Sequence, residues 1–465
     1  MVESLIILTG IVIAGFSLGG LKRSRDPLFP LVIMGPMLLY VYVYQPLVSV
    51  TAPTRVQIFP SLEPLVMVHV VNLLAVSAFC VGCIWHRRPR GVDHRFDVLR
   101  QELGPRIRNR IFSLGIILGL LACGSFAFMV QYSGGWTKVF SVAKPFVRGP
   151  SGYIGEMPML SYPAVFLLAI SFQGRRLTPV RILTMILVLM PHVIMATIGG
   201  RRGPTFLVTC SLVGAWCIIR QRPPKVRSIL VGLGAVGCLM LLLQSNRNNL
   251  FKIWDRSDLD LTGIEQLWSP PQLTYGDEYV VATATIITSS ELAHHYWGVR
   301  YFAQFVVRPF PRFLWPSKYE DLGVGWMATD PGKSGISTSE WLDVVGFEPA
   351  GGSAGGLVMD LFLEFSWGAI PVCFLLGLMF SSIWKRWVSR GGIWTLIYVE
   401  MMILSVYLIT QSVGAWLYRT MLLVGMTWIF WRTNMPRQRQ VRQMPRARSM
   451  KPPGYGVPLA KNPIR

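Results

Sequence analysis

The sequence predicts an all-α protein that crosses a membrane many times, and two observations predict it. First, 52% of the 465 residues are hydrophobic, only 15% are charged, and the mean hydropathy is +0.45. Soluble domains carry about 25% charged residues. Second, apolar runs of about 20 residues, each long enough to cross a bilayer, recur from end to end. We therefore expect a polytopic membrane protein with about eleven transmembrane helices and not a soluble enzyme.

The expected helices are apolar runs bounded by charged residues, Pro and Gly. They cover residues 4–20, 28–48, 64–85, 111–131, 160–173, 180–198, 203–220, 228–243, 357–384, 393–410 and 413–431. The chain then divides into helices one to eight at 1–243, a large loop at 244–355, helices nine to eleven at 356–431 and a basic tail at 432–465.

Every second loop between these helices is basic, in a chain with 45 Lys+Arg against 23 Asp+Glu. Eight arginines lie between Arg87 and Arg110, and the tail has nine basic residues and no acidic one. Cytoplasmic loops of membrane proteins carry such an excess. We expect these loops and the C-terminus in the cytoplasm and the N-terminus outside a plasma (inner) membrane. The charge thus indicates topology and contact with membrane lipids, and no nucleic-acid partner is expected.

The loop at 244–355 has the opposite character and is expected on the outer, extracytoplasmic side. It has 13 Asp+Glu, 8 Lys+Arg and six tryptophans. Loops of more than about 15 residues are usually functional or disordered. The aromatic content and helix-like stretches such as 274–306 predict an ordered loop that packs on the membrane surface.

The first motif with chemical potential is GGRRGPTF at 199–206. It places Arg201 and Arg202 in a short turn on the outer side, against the usual distribution of basic residues. The flanking glycines allow close approach of the backbone to a ligand, and arginine suits bidentate phosphate binding. A phosphate site is favoured, with anchoring in lipid headgroups as the alternative.

The second motif, at 291–321, combines charged residues with interleaved aromatics and ends in RPFPRFLWPSK. Its charged or titratable candidates are Glu291, His294, His295, Arg300, Arg308 and Arg312. Helical spacing would place Glu291 and His295 on one face, where the carboxylate orients an imidazole that takes a proton from a hydroxyl. The alternative is an interfacial aromatic segment broken by prolines.

The third motif, GGSAGGLVMDLFLEFSWGAIPVCFLLG at 351–377, places Asp360 and Glu364 four residues apart on one helical face. They could bind sugar hydroxyls, act as a base or pair with arginines, and we expect arginine pairing first because carboxylates at a membrane edge are costly unless paired. Further along, Glu400 and Arg419 are expected to pair across adjacent helices. Arg419 also lies near enough to the outer surface to join a phosphate site.

The sequence has no GxxxxGK[ST] nucleotide-binding motif and no HExxH zinc motif. Its lone CxxC, at Cys80 and Cys83, falls inside an apolar run and is expected to serve helix packing, since structural zinc takes four ligands. No metal and no other cofactor is expected.

GGRRGPTF, RPFPRFLWPSK and GLVMDLFLEFSWGAIPVCFLLG together resemble the Wzy-type oligosaccharide repeat-unit polymerases, the O-antigen and exopolysaccharide polymerases. The resemblance covers about residues 180–385 and the pattern of spans. That family often has a Gly-Glu-x-Tyr-x-Asn-Phe-Gly-like segment near the last motif. This chain has Asp360 in place of the Glu and Glu364 in place of the Asn.

The resemblance implies a glycosyltransferase of the membrane-embedded C type that joins polyprenyl-diphosphate-linked oligosaccharides outside the membrane. It implies a flippase and a chain-length regulator of the same pathway as partners. A diphosphate leaving group requires cations, for which Arg201, Arg202, Arg300, Arg308 and Arg312 are the candidates. The base would be His294 or His295, followed by Glu291 or Asp277, with Asp360 or Glu364 steadying oxocarbenium-like charge.

Three other functions remain as alternatives. An O-antigen ligase would transfer the same donor to another acceptor with similar arginines and histidine. A carrier would move lipid-linked glycans without chemistry, but it should concentrate charge at mid-membrane and show internal repeats, which this sequence lacks. An assembly scaffold would tolerate changes at Arg201 and His295.

Overall fold

The computed structural model describes residues 1–86, 105–140, 155–198, 202–222, 273–308, 314–328, 334–350 and 354–434, together with residues 224, 231, 232 and 310. The described part of the chain is all-helical. Its main helices are α1 (Val2–Ser24), α2 (Pro30–Thr51), α3 (Glu63–Ile84), α4 (Pro105–Tyr132), α5 (Ser161–Ser171), α6 (Pro179–Val188), α7 (Met190–Thr197), α8 (Arg202–Arg220), α9 (Glu278–Glu291), α10 (Val299–Phe302), α11 (Thr338–Val345), α12 (Gly356–Phe365), α13 (Ala369–Arg390), α14 (Ile393–Thr410) and α15 (Val413–Asn434).

Shorter turns complete the helical structure. The short α-helices are Arg55–Ile58 and Gly135–Phe140, the 3₁₀ turns are Met157–Leu160, Gly325–Ala328 and Ser366–Gly368, and π turns occur at Tyr40–Tyr44 within α2 and at Ala303–Val307 after α10.

Within the described residues, eight helices are long and apolar enough to cross a membrane, or nine if α6 and α7 form one bent span. They agree with the expected runs except at four places. The run at 357–384 is divided between α12 and α13 at the turn Ser366–Gly368. The run at 160–173 becomes the short α5, the run at 180–198 is bent by 75° between α6 and α7, and the run at 228–243 lies almost wholly outside the described residues. The total of eleven spans therefore stays a prediction.

The core is continuous and joins two groups of helices. α1, α2, α3 and α13 pack together, as do α4, α5, α7 and α8, and α14 contacts members of both groups. All eleven residues of α5 and most of those of α14 are buried. A helix surrounded by protein on all sides does not need the length of a lipid-facing span, which explains why α5 is short.

One end of the bundle is fixed around a buried aspartate, and we call it the Asp26 end. The Asp26 carboxylate accepts a hydrogen bond from the Trp384 indole at 2.8 Å, which joins the start of α2 to the end of α13. The Tyr398 hydroxyl donates to the Leu28 carbonyl. The basic residues in the last turns of α1 and α13 therefore collect at this end.

The opposite end, which we call the Asp360 end, holds the segment expected as the large loop. Ten of the fourteen residues of α9 are buried, in contact with α3, α11 and α12. Gln45, in the second half of α2, donates to Glu278 at the start of α9 at 3.1 Å. Elsewhere the helices present apolar side chains outward, such as Ile11 at 63% and Leu120 at 67% exposure, and lipid is the solvent that suits such faces.

Candidate functional site

The candidate site is built on a break between two helices at the Asp360 end. α12 ends at Phe365, Ser366 has a φ of +51°, and α13 begins three residues later. The last carbonyls of a helix have no intrahelical donor. The loop at 293–298 satisfies two of them: Tyr296 N donates to Leu363 O at 3.3 Å, and Trp297 N donates to Glu364 O at 2.7 Å. The His295 ring contacts Phe362 O at 3.1 Å, a carbonyl that also accepts the backbone N–H of Ser366. The loop is thereby fixed to the end of α12.

The path of this loop contradicts one expectation from the sequence. Glu291 is the last residue of α9, and Ala293 turns the chain away with a φ of +50°. Glu291 and His295 therefore do not share a helical face, and the predicted orientation of His295 by Glu291 is wrong. Glu291 is exposed. At the start of α9, the carboxylate of Asp277 accepts the backbone N–H of Thr274 at 2.6 Å, which shapes a turn.

A single arginine joins both carboxylates of α12. Arg300 contacts Asp360 at 3.0 Å and Glu364 at 3.3 Å, and the two carboxylate side chains are 2% and 0% exposed. Gly298, with a φ of +91° that favours glycine, donates its N–H to Glu364 at 2.9 Å. Burial opposes the charge of Arg300, but Asp360 and Glu364 outweigh it, so the guanidinium pKa lies above its ordinary value. The expected pairing of these carboxylates with an arginine is confirmed.

Asp360 also ties this cluster to the last helix. Its second oxygen accepts the Tyr301 hydroxyl at 2.7 Å and the backbone N–H groups of Val413 at 2.9 Å and Gly414 at 3.3 Å. The first N–H groups of a helix need such acceptors, and the helix dipole favours an anion there. Sequence reasoning missed Tyr301, although it directly follows Arg300.

The two adjacent histidines have different surroundings. His294 uses both ring nitrogens, with Nε2 2.9 Å from the Tyr296 hydroxyl and Nδ1 3.7 Å from Glu340. On His295, Nδ1 faces the Phe362 carbonyl. A carbonyl oxygen only accepts, so Nδ1 carries the proton and Nε2 keeps its lone pair. No hydrogen bond to this Nε2 is found within the described residues.

Burial adds to this difference by lowering the pKa of His295, more than its contacts with the Phe362 and Leu363 carbonyls raise it. His295 is therefore neutral near pH 7, with one nitrogen able to accept a proton.

Arg308 lies at a corner that a buried lysine fixes. Lys318, 3% exposed, donates to the carbonyls of Val307 at 3.1 Å and Arg308 at 3.2 Å, and also to that of Phe310. The Arg308 guanidinium then lies over the Tyr418 ring of α15, 4.7 Å from its centroid. This is a cation–π contact, and among the described residues Arg308 has no ion pair with a carboxylate. Sequence reasoning did not single out Lys318, although RPFPRFLWPSK ends on it.

Arg419, the neighbour of Tyr418, pairs with a residue that sequence reasoning did not identify. Its Nε is 3.4 Å from Glu156, and its guanidinium lies 4.1 Å from the centroid of the Tyr407 ring. The expected pair of Arg419 with Glu400 is wrong, because Glu400 instead accepts the Thr427 hydroxyl at 2.5 Å. Helical depth alone suggested that pair, but the side chains of neighbouring helices also depend on rotation about each axis.

Some expected site residues are not placed. Arg201 and Arg312 lie outside the described residues, as does most of the tail at 432–465, and of Arg202 only the backbone is described. That backbone begins α8, which packs on α5, α7 and α14.

The placed residues form three parts at the Asp360 end, all linked to α12 or α15. They are the neutral His295 on the end of α12, a carboxylate cluster of Asp360, Glu364 and Arg300, and an arginine group of Arg308 and Arg419 beside Tyr418. Chemically, the first can accept a proton, the second pairs one guanidinium group with two carboxyl groups, and the third can contact an anion. Among the described residues, no group of three or more His, Cys, Asp or Glu has the geometry to hold a metal ion.

Comparisons of the chain with protein-family models, with curated proteins and with solved structures found no match.

Proposed function

We propose that this protein is a membrane glycosyltransferase that polymerises oligosaccharide repeat units carried on a polyprenyl diphosphate. The observation that carries the proposal is the state of His295, whose Nδ1–H donates to the Phe362 carbonyl and leaves Nε2 free as a base. A hydroxyl nucleophile needs such a base, and the same end of the bundle offers cations for a diphosphate.

In the proposed reaction, the acceptor hydroxyl of one lipid-linked unit gives its proton to Nε2 of His295. The hydroxyl oxygen then bonds to the anomeric carbon of the second lipid-linked chain, and the bond from that carbon to the diphosphate oxygen breaks. The lipid diphosphate leaves with the electron pair, and Arg308 and Arg419 balance its charge.

The carboxylate cluster has a supporting role in this proposal. Asp360 and Glu364 are occupied by Arg300, and Asp360 also by the start of α15. They hold the loop of His295 and the helix of Arg419 in one arrangement, which is the preorganisation that transition-state stabilisation requires. Arg300, predicted from the sequence as a diphosphate ligand, serves in the proposal as the cation of this cluster.

The proposed location is the outer face of a plasma (inner) membrane, with a flippase and a chain-length regulator of the same pathway as partners. Support comes from charge: Arg23, in the last turn of α1, and Lys385, near the end of α13, lie at the Asp26 end, opposite the candidate site. If basic loops are cytoplasmic, the site faces outward.

The test uses the full chain purified in detergent with a short lipid-diphosphate-linked oligosaccharide as the only substrate. We expect a ladder of repeats on gels or in mass spectra without added nucleotide. His295→Ala should slow ladder formation by about 10²- to 10⁴-fold, the usual contribution of a general base. His294→Ala is the matched control and should keep most of the rate, since both nitrogens of His294 already have partners.

Three results would contradict the proposal. If His295→Ala formed the ladder at the wild-type rate, His295 would not be the general base. Transfer to a different acceptor with no ladder would assign the protein to the ligases, and specific binding without any transfer would make it a carrier.

A further inference from the structure

The ion pair between Arg419 and Glu156 is looser than the ion pair between Arg300 and Asp360, which measures 3.0 Å. The Arg419 guanidinium is no closer than 3.4 Å to either carboxylate oxygen of Glu156, whereas charge-assisted hydrogen bonds measure about 2.7–2.9 Å. The two side chains are 20% and 19% exposed, against 12%, 2% and 0% for Arg300, Asp360 and Glu364. The pair is thus both weakly bonded and open to a ligand.

Among the described residues, the surroundings of the Arg419 guanidinium have more hydrogen-bond donors than acceptors. The Nε of Arg419 has no hydrogen-bond partner within the described residues, and its contacts with Gln411 and the Ala415 carbonyl are also 3.4 Å long. The Tyr162 hydroxyl, on a side chain only 1% exposed, has no partner there either, and the guanidinium is close enough to act on it electrostatically. Unmet buried donors are costly, and anionic oxygens would satisfy them.

The described charged residues around Tyr418 carry a net positive charge. Tyr418 lies under the Arg308 guanidinium and feels the charges of Arg308, Glu156 and Arg419. Among the described residues, the ion pairs include a carboxylate for Arg419 but none for Arg308. Within the described residues, the two guanidinium groups thus have one paired carboxylate, that of Glu156 on Arg419, and an additional anion would be attracted.

We infer that Glu156 is a displaceable counter-ion, which occupies an anion site of Arg419 and Arg308 and leaves it when a phosphate group of the substrate binds. The inference rests on the proposed function, because it assigns this site to the diphosphate of a lipid-linked oligosaccharide. Glu156 is then a specificity-determining residue: it repels weak anions and yields only to a ligand with more than one negative charge. The released carboxylate turns toward the exposed side of the site.

The main test is the substitution Glu156→Gln, which keeps the size of the side chain and removes its charge. We measure binding of the lipid-diphosphate-linked oligosaccharide to the full chain in detergent, without turnover. The Kd should fall about tenfold in Glu156→Gln, because the ligand no longer competes with an internal anion. Arg419→Gln should weaken binding, and the double variant should bind as weakly as Arg419→Gln alone.

A matched control separates a local effect from a general change in charge. Glu63 is an exposed carboxylate at the Asp360 end, and Glu63→Gln should leave the Kd unchanged. If Glu156 had only a structural role, Glu156→Gln would lower the temperature of unfolding and would leave binding unchanged or weaker, which would overturn the inference.

The source of the phosphate is tested with two further probes. Inorganic pyrophosphate should compete with the lipid-linked substrate in the wild type and about tenfold better in Glu156→Gln. Nanodiscs with phosphatidylglycerol should compete no better than nanodiscs of neutral lipid. Equal competition by phosphatidylglycerol would make this a lipid-headgroup site and would overturn the substrate assignment.

The inference and the proposed function fail in different ways. If His295→Ala keeps the full rate while Glu156→Gln tightens binding, the mechanism is wrong and the counter-ion stands. If a ladder forms and depends on His295 but Glu156→Gln does not tighten binding, only the counter-ion is wrong.

Discussion

At the scale of single residues, the protonation of His295 governs the proposed chemistry. Burial lowers the pKa of this ring below the ordinary value of 6.5, and hydrogen bonds to the Phe362 and Leu363 carbonyls oppose that effect without reversing it. A general base works only in its neutral form, so activity is lost as the pH falls through this pKa. We expect the acid limb of kcat/KM to have its midpoint below pH 6.5, so that most of the activity remains at pH 7.

This prediction is checked by measuring initial rates of ladder formation across the neutral and acidic range. His294→Ala should keep the limb at the same midpoint, which separates the two adjacent histidines. A midpoint above pH 6.5 would assign the titration to another group. So would a pH profile of the residual activity of His295→Ala with the same acid limb as the wild type.

The sequence predicts residue contacts well where they are local and poorly where they are not. Asp360 and Glu364 lie one helical turn apart, and this spacing is enough to predict that they share a face and pair with an arginine. Arg419 pairs with Glu156, 263 positions away, and no spacing connects such residues. The predicted contact between Glu291 and His295 is wrong for a different reason. The positive φ at Ala293 ends the helical register on which that prediction depended.

At the scale of helices, α3 and α13 approach each other through a reciprocal pair of glycines. A Cβ on Gly82 would lie 2.2 Å from the Phe374 carbonyl oxygen, and a Cβ on Gly377 would lie 2.2 Å from that of Phe79. Both obstacles are backbone atoms, so the helices would have to separate. Small residues allow this close packing between membrane helices, where lipid supplies no hydrophobic drive for association.

We therefore predict that Gly82→Ala and Gly377→Ala each destabilise the protein by about 1–3 kcal/mol, the usual cost of overpacking. Thermal unfolding of the purified protein in detergent measures the effect. Gly15→Ala is the matched control: it lies within α1, a Cβ there meets nothing within 4 Å, and alanine favours a helix. Unfolding temperatures of the Gly82 and Gly377 variants that equal that of the control would show that the helices lie further apart.

Hydropathy predicts the existence of helices better than their shape. The apolar run at 180–198 matches α6 and α7 together in extent. The axes of these two helices nevertheless differ by 75°, with the bend near Pro191, which lacks an N–H to continue the helix. The apolar run at 160–173 matches α5 in position, but apolar content alone does not tell a helix buried in protein from one that faces lipid.

At the scale of the whole molecule, the two ends of the bundle differ in charge and in chemistry. Contacts place Arg23 beside the Ile84 carbonyl at the Asp26 end, and α13 ends nearby with Arg390. The Asp360 end has the carboxylate cluster, His295 and the arginine group. This separation is what an enzyme with its site on one face of a membrane requires, and a carrier that passes a ligand through its centre does not require it.

The asymmetry leads to a prediction about topology. In a background without the seven cysteines, a cysteine at Glu63 should react with a membrane-impermeant maleimide in intact cells, because α3 begins at the Asp360 end with Glu63 exposed. A cysteine at Arg390, exposed at the end of α13, should react only after the membrane is permeabilised. Both variants must first support ladder formation, which shows that they are folded.

The reverse pattern would place His295 and the arginine group in the cytoplasm, where basic loops would no longer explain the orientation. The donor would then have to be a lipid-linked sugar on the inner leaflet, and the polymerase proposal would be wrong even if the site chemistry were right.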